Sequence, residues 1–389
     1  MVIERKPLVH VDGVSNIELF YDLIFVYCIS ALTSLCHHVQ GGFLDLSTWV
    51  LFLFAYLVVL QIWIFTTFLL NRYGDRSALD NLCLFTNMFL LYYLASGIHA
   101  DWESSRVTFT LAWAGICANL AVHWAIKRWR YTNLDEDDRR IMTLFIRVLL
   151  VQAAGAVVAA VTSSAVSVLI TWSVLVVGAA IFRASPTFSS KTARFDHLAE
   201  RCSLLVIIAF GEMIVGISAY MTQASSPVFP VLVFMLMVGL FLIFMYEHDT
   251  MLDYNKHTDG SDYQAIICWI IVILGNLTVA LEYMTMQDIA FEPKSMFLTA
   301  CLVLYLLTSF LVGHYHKPEF AWSGAFVAGR IFTCILIVAF AAVTNFDPLP
   351  NLICHTAAVY FALWHEWLLY HKRTGRISFG HLLGHESDE

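Results

Sequence analysis

The sequence predicts an all-α integral membrane protein, a polytopic bundle of about twelve transmembrane helices. Composition, the spacing of the apolar runs and the placement of the basic residues all point to it. Of 389 residues, 59% are hydrophobic and 13% charged, with a mean hydropathy of +0.71, whereas soluble domains carry about 25% charged residues. A spanning helix needs roughly 20 mostly apolar residues, because the hydrocarbon core is about 30 Å thick and an α-helix rises about 1.5 Å per residue. Such runs take up nearly the whole chain.

In chain order the spans are read at 17–38, 48–70, 79–98, 105–126, 139–161 and 164–183, then 201–221, 228–246, 265–285, 295–313, 324–343 and 349–370. The first run is long enough to span and holds Glu18 and Asp22, so it is expected to stay as a helix rather than be cleaved as a signal peptide. The thinnest division is Thr162–Ser163. Without it Gly155 to Gly178 would read as one overlong span, and Arg139 and Arg183 at the outer ends favour a hairpin. Lys and Arg collect on the cytoplasmic side of membrane proteins. Of the 22 here, Arg106 and Lys294 alone fall in odd-numbered loops and Arg147 and Arg330 well inside spans; the rest lie in the N-terminal segment, the even-numbered loops and the span ends that border them, or the tail. Both termini are therefore expected in the cytoplasm, with the protein in the plasma membrane. The organisation follows: a cytoplasmic segment 1–16, a six-helix half 17–183, a cytoplasmic linker 184–200, a second six-helix half 201–370 and a cytoplasmic tail 371–389.

The net charge of −8 is no nucleic-acid-binding balance, and no basic stripe lies beyond the cytoplasmic loops. The lipid bilayer and an unknown small solute are the expected partners. The nine cysteines are scattered without a CxxC spacing and read as small core hydrophobes. There is no P-loop, GxGxxG, GxSxG or HExxH, which argues against an ATP-driven pump or a familiar hydrolase. His37 and His38 with His99, Asp101 and Glu103 offer nitrogen and oxygen donors on the outer side, and His123 and His365 are the pair to consider for haem. No spacing fixes a site, so no metal and no cofactor are expected.

The two halves align weakly. Glu18 to Val26 lies on Glu200 to Ile208 at a shift of 182, Ala159-Ala160-Val161 on Ala341-Ala342-Val343 at the same shift, and Arg147 on Arg330 at 183. With six helices in each half, this pattern would be a parallel repeat.

Charged side chains inside a membrane cost on the order of 2.5–3.5 kcal/mol each by insertion scales, so they persist where they pair or work. Glu18 and Asp22, four apart, share a face of the first helix. Arg147 and Arg330 lie at a similar depth, which predicts that they pair with Glu18 or Asp22; snorkelling to the interface is the alternative. Glu212, roughly eleven residues into the seventh span, is the deepest carboxylate and suits a group that loads and releases a proton. His197, Glu200 and Arg201 precede that helix as a solvated cytoplasmic cluster or a proton relay at the mouth of a pathway. Glu247, Glu282 and Glu366 sit near span ends, where an interfacial role is expected.

Two stretches carry a family resemblance. Glu18-Leu19-Phe20-Tyr21-Asp22-Leu23-Ile24-Phe25-Val26 is one; His197-Leu198-Ala199-Glu200-Arg201 through Ile207-Ile208-Ala209-Phe210-Gly211-Glu212 is the other. With the layout of spans between them, the chain resembles the bacterial low-temperature-requirement A (LtrA) membrane proteins. Cys202 and Met213 stand where the family pattern usually has His and Ser, and Phe241 to Tyr246 replaces its tryptophan-rich end of the eighth span. The resemblance implies a multi-pass cell-membrane protein and supplies no substrate. The expected function is a secondary transporter of a small solute, proton-coupled at the midplane glutamate. The alternatives are a membrane-embedded enzyme acting on lipids or isoprenoids, and a non-catalytic membrane protein in cold adaptation.

Overall fold

The computed structural model describes residues 5–8, 13–37, 43–184, 193–218, 227–286, 289–320 and 322–374. Among them are twelve α-helices: α1 (Asn16–Leu35), α2 (Leu46–Tyr73), α3 (Ala78–Ser96), α4 (Trp102–Arg130), α5 (Glu136–Val161), α6 (Ser164–Ala184), α7 (Phe195–Ser218), α8 (Val228–Met245), α9 (Ser261–Thr285), α10 (Phe291–Val312), α11 (Gly324–Val343) and α12 (Pro348–Thr374). Ten of the described helices are long and apolar enough to cross a membrane. With α6 and α12 they form an all-α polytopic bundle. Lys191, His38, Gln287 and Arg376, like most of the expected linker and tail, lie outside the described residues, as do the side chains of Arg183 and Arg373.

Local chemistry sets the helix starts. Ser15, Asp45, Ser77, Asp135 and Ser323 each precede an apolar run and accept the N–H of Glu18, Ser47, Asp80, Asp138 and Phe326. Such caps are worth about 1 kcal/mol each. Thr162 adopts extended backbone after α5, and α6 begins at Ser164, so the short hairpin forms where the sequence places it. The largest displacement is at α7, which begins at Phe195 rather than 201 and takes His197 and Glu200 into the helix.

The chain divides into two compact units, the first comprising residues 1–38, 45–208 and 257–264 and the second the remainder, so the boundary falls inside α7. In the first unit α4 packs along α3 and α5, α5 along α6, and α1 against α2 and α3. Trp63, Trp113 and Trp124 are fully buried, and Trp124 stacks on Phe145 with ring centroids 4.3 Å apart. A buried lysine closes one end of this unit: Lys127 Nζ lies 2.6 Å from both Asp75 and Asp80, and Lys6 reaches Asp75 at 2.7 Å. Burial would raise the Asp75 carboxyl, but Lys127 and Lys6 hold it well below the usual carboxylate range. The Lys6 backbone also bonds to Arg130 and Thr132, tying the N-terminal segment to the α4–α5 turn.

In the second unit α12 packs on α8, α10 and α11. Here α8 runs on into a π-helical turn, Tyr246–Met251. A bridge between Leu252 and His316 and a 2.8 Å bond from Lys317 N to the Met251 carbonyl pin the segment that follows. Residues matched by the proposed internal repeat occupy unlike environments: Glu18 and Arg330 are buried, Glu200 and Arg147 exposed.

Candidate functional site

Spacing by four puts Glu18 and Asp22 on one face of α1, and His197 and Arg201 on one face of α7. These faces meet as a two-rung ladder. On the inner rung Arg201 grips Asp22 with both prongs, Nη2 donating to Oδ1 at 2.6 Å and Nε to Oδ2 at 3.2 Å, while Trp63 Nε1 donates to Oδ1 at 3.0 Å. Arg201 is 0% and Asp22 1% exposed, so neither charge would survive there without the other. On the outer rung Glu18 Oε2 lies 3.4 Å from His197 Nε2 and 3.6 Å from Arg201 Nη1. Its other oxygen accepts the Ser15 hydroxyl at 2.9 Å, and the same hydroxyl oxygen accepts the Glu18 N–H as the cap of α1. Because residue 18 meets 197 and residue 22 meets 201, α1 and α7 run in the same direction, as the odd number of helices between them, α2 to α6, requires.

Asn71 fixes the state of the histidine. Its amide donates to the Arg194 carbonyl at 2.7 Å and accepts the Arg194 N–H at 3.2 Å, which sets which end is nitrogen. That nitrogen faces His197 Nδ1 at 3.3 Å. An amide nitrogen only donates, so Nδ1 accepts and the neutral ring carries its proton on Nε2, aimed at Glu18. A second proton on Nδ1 would set donor against donor. In this arrangement the His197 ring points its N–H toward Glu18 Oε2 at 3.4 Å without completing a hydrogen bond to it.

The ladder has two different approaches. A polar cleft lined by Glu18, His197, Arg76, Asp80, Asn81 and Arg194 reaches the outer rung and holds about 20 Å³, room for a single water. An apolar groove between α1 and α7 reaches Asp22 between Phe20, Leu23, Leu204 and Ile207 and holds about 350 Å³. Phe20 and Leu23 are more than half exposed, and in a membrane that face meets lipid.

The structure redistributes the sequence candidates. Asp22 pairs with Arg201, not with Arg147 or Arg330. Arg147 is exposed on α5 beside exposed Leu150 and Val151, the position of a snorkelling side chain. Arg330 belongs to a separate cluster in the second unit, with Glu247 and Glu366. Glu200 is exposed while His197 and Arg201 on the same helix are buried, so the solvated cluster reduces to Glu200. Glu212 is buried on the α7 face that carries Gly216, where an added Cβ would lie 2.5 Å from Glu282 Oε1. Glu247, Glu282 and Glu366 are buried in the protein; the π turn lengthens α8 past Glu247, and α12 continues two turns beyond Glu366 to Thr374. His123, drawn as a haem ligand, bonds instead to Asp80 at 2.7 Å. Among the described residues no group of three or more His, Cys, Asp or Glu is placed to hold a metal ion.

Sequence reasoning passed over Trp63, Asn71, Asp75, Asp80 and Lys127. Asp80, in the first turn of α3, carries a readable signal; Trp63 and Asn71 resemble ordinary helix residues and carry none.

Comparison with known proteins places these residues in a family. No curated protein matches the chain. A family model described as bacterial low temperature requirement A protein (LtrA) matches residues 13–365. That match takes in every residue of the α1–α7 ladder and nearly the whole chain, and the protein belongs to the LtrA family.

Proposed function

We propose that the protein is a secondary transporter of a small polar solute, with the α1–α7 ladder as its solute site. One observation carries the reading: Glu18 and His197, buried on two membrane-spanning helices beside the Arg201–Asp22 pair, line a polar cleft. Purely structural charges have no need of a polar approach, whereas a site that exchanges solute does. Glu18 Oε2 makes no hydrogen bond while Ser15 holds its sister oxygen, so it is the acceptor available to an ammonium or hydroxyl group of a solute. The cleft admits only water-sized groups in this conformation, so solute entry requires α1 and α7 to part at their polar ends, as alternating access demands. The basic residues of the even-numbered loops favour a plasma-membrane protein with both termini in the cytoplasm. Glu212 and the second-unit cluster are the candidates for a coupling proton.

The apolar groove favours a second reading, an enzyme acting on a lipid or isoprenoid chain that lies between Phe20 and Ile207 with its polar end near Asp22. Reconstitution into liposomes with a pH-sensitive dye and a panel of amino acids, amines and sugars separates the two. Solute-dependent proton flux that Glu18→Gln abolishes supports transport. Chemically altered lipid without flux supports the enzyme, and neither result leaves both readings without support.

A further inference from the structure

The second unit contains a charge imbalance that the transport site does not use. Arg330 of α11 stands between Glu247, on the π turn after α8, and Glu366 of α12. All three are 3% exposed or less. Arg330 Nη2 makes the close contact with Glu247 and also lies 2.7 Å from Glu366 Oε1. One cation faces two carboxylates, so the fully ionised cluster carries a net charge of −1 among apolar helices.

A second observation locates the imbalance. Neither Glu366 oxygen makes a hydrogen bond, and Arg330 Nε and Nη1 make none either. Glu366 thus lacks the backbone, hydroxyl or indole donors that a buried carboxylate normally collects. The other titratable groups within reach do not supply the missing charge. Tyr305 faces the cluster from α10 and donates its hydroxyl to the Leu240 carbonyl at 2.8 Å. Tyr246 comes from the π turn, Tyr370 and His365 from α12, Cys334 from α11, and His316 from the segment after α10. None is a second lysine or arginine. Where α11 and α12 touch, an added Cβ at Gly329 would overlap the His365 ring, so close approach at this glycine keeps Arg330 beside Glu366.

We infer that Glu247, Arg330 and Glu366 form a proton-loading site, in which the two carboxylates share one proton in the folded protein at neutral pH. Loading adds H⁺ from water to a carboxylate oxygen, with Glu366 the better placed, and takes the cluster from −1 to 0; release returns that proton. A bare cation fits less well, because sodium-like ions need several oxygen ligands and Arg330 already occupies the space between the only two carboxylates present in the cluster. The π turn is consistent with use, since such turns concentrate at functional positions where the helix ladder is loosened. A role in coupling rests on the transport reading above; the proton itself does not.

The test uses purified full-length protein and infrared spectroscopy, which separates a protonated carboxylic acid from carboxylates without any transport assay. The wild type is expected to show a carboxylic-acid band at neutral pH that disappears at alkaline pH. Glu366→Gln should fold normally, because a neutral amide replaces a neutral acid, and should lose the band. Glu247→Gln should also lose it, because the remaining carboxylate then has Arg330 to itself. Glu212→Gln should keep it. Absence of the band from wild type, its persistence in both Glu366→Gln and Glu247→Gln, or its loss only in Glu212→Gln would overturn the proposal. So would a band that sodium chloride abolishes at constant pH, which would mark a metal-cation site.

Discussion

Arg201 in the first unit and Arg330 in the second each face two carboxylates on membrane-spanning helices, yet their surroundings differ in one respect. Asp22 has both oxygens bonded by Arg201 and one also by Trp63, and Glu18 has Ser15 on one oxygen and the His197 N–H aimed at the other. Glu366 has Arg330 near one oxygen and no hydrogen bond on either. Neutral donors do not alter formal charge, but they replace the water that a carboxylate loses on burial. On the proton-loading proposal, what separates the two sites is that both Asp22 oxygens and one Glu18 oxygen are bonded to donors, whereas neither Glu366 oxygen is.

The strongest way to break this comparison is Arg201→Gln. Removing one partner of a buried pair leaves Asp22 uncompensated, with an expected loss of about 3–5 kcal/mol, read as thermal stability in detergent. Adding Asp22→Asn should recover most of it. Strictly additive losses would mean that the inner rung contributes nothing as a pair. Arg330→Gln should be milder on the acid side of neutrality than on the alkaline side, because protons can replace the arginine between Glu247 and Glu366.

Much of the ladder was legible before the fold. The four-residue spacings of Glu18 with Asp22 and of His197 with Arg201 define two faces, and membrane cost marks Glu18 and Asp22 as needing partners. Pairing was not legible, because similar depth leaves every basic residue at that level eligible, and placing the helix start at 201 grouped Arg201 with His197 and Glu200 rather than with Asp22. The true start at Phe195 moves that arginine from the interface to the second turn of α7. The second-unit cluster was hidden for a related reason. Counting residues to the span ends put Glu247 and Glu366 at the interface, but hydropathy reports neither a π turn nor a polar extension of α12. The twelve helices themselves, down to the two-residue division after Val161, followed from run length and turn chemistry, which act locally.

His316 sharpens the comparison from the second unit's side. Burial, then the charge of Arg330, pushes its imidazole from 6.5 down to about 4. The unfolded chain therefore binds more protons than the folded one between those values. Stability should rise with pH through that window and be lost as pH falls through it, by on the order of 3 kcal/mol. His316→Gln should flatten the slope in detergent melts. An unchanged slope would assign it to other groups.

In the first unit His197 tests whether a donor or a titrating group supports Glu18. Glutamine can place an N–H where Nε2 stands, so His197→Gln should lose less than about 1 kcal/mol. His197→Ala, which removes the N–H aimed at Glu18 Oε2 and the Asn71 contact at Nδ1, should lose about 1–3 kcal/mol. Equal losses would mean that the imidazole acts by filling space or by carrying charge.

Ser15 gives the smallest effect and the finest discrimination. It caps α1 by accepting the Glu18 N–H at 3.2 Å and also donates its hydroxyl to Glu18 Oε1 at 2.9 Å. Ser15→Ala removes both interactions, with an expected loss of about 1 kcal/mol. Ser15→Asp separates them: aspartate caps a helix as well as serine does, but it sets a second carboxylate against Glu18 where serine offered a proton. If the cap alone matters, Ser15→Asp should match wild type. If the hydroxyl is one of the donors that keep Glu18 ionised, Ser15→Asp should be no more stable than Ser15→Ala at neutral pH and should recover on acidification. That outcome would bring Glu18 one step closer to Glu366, a buried carboxylate short of donors that holds a proton instead.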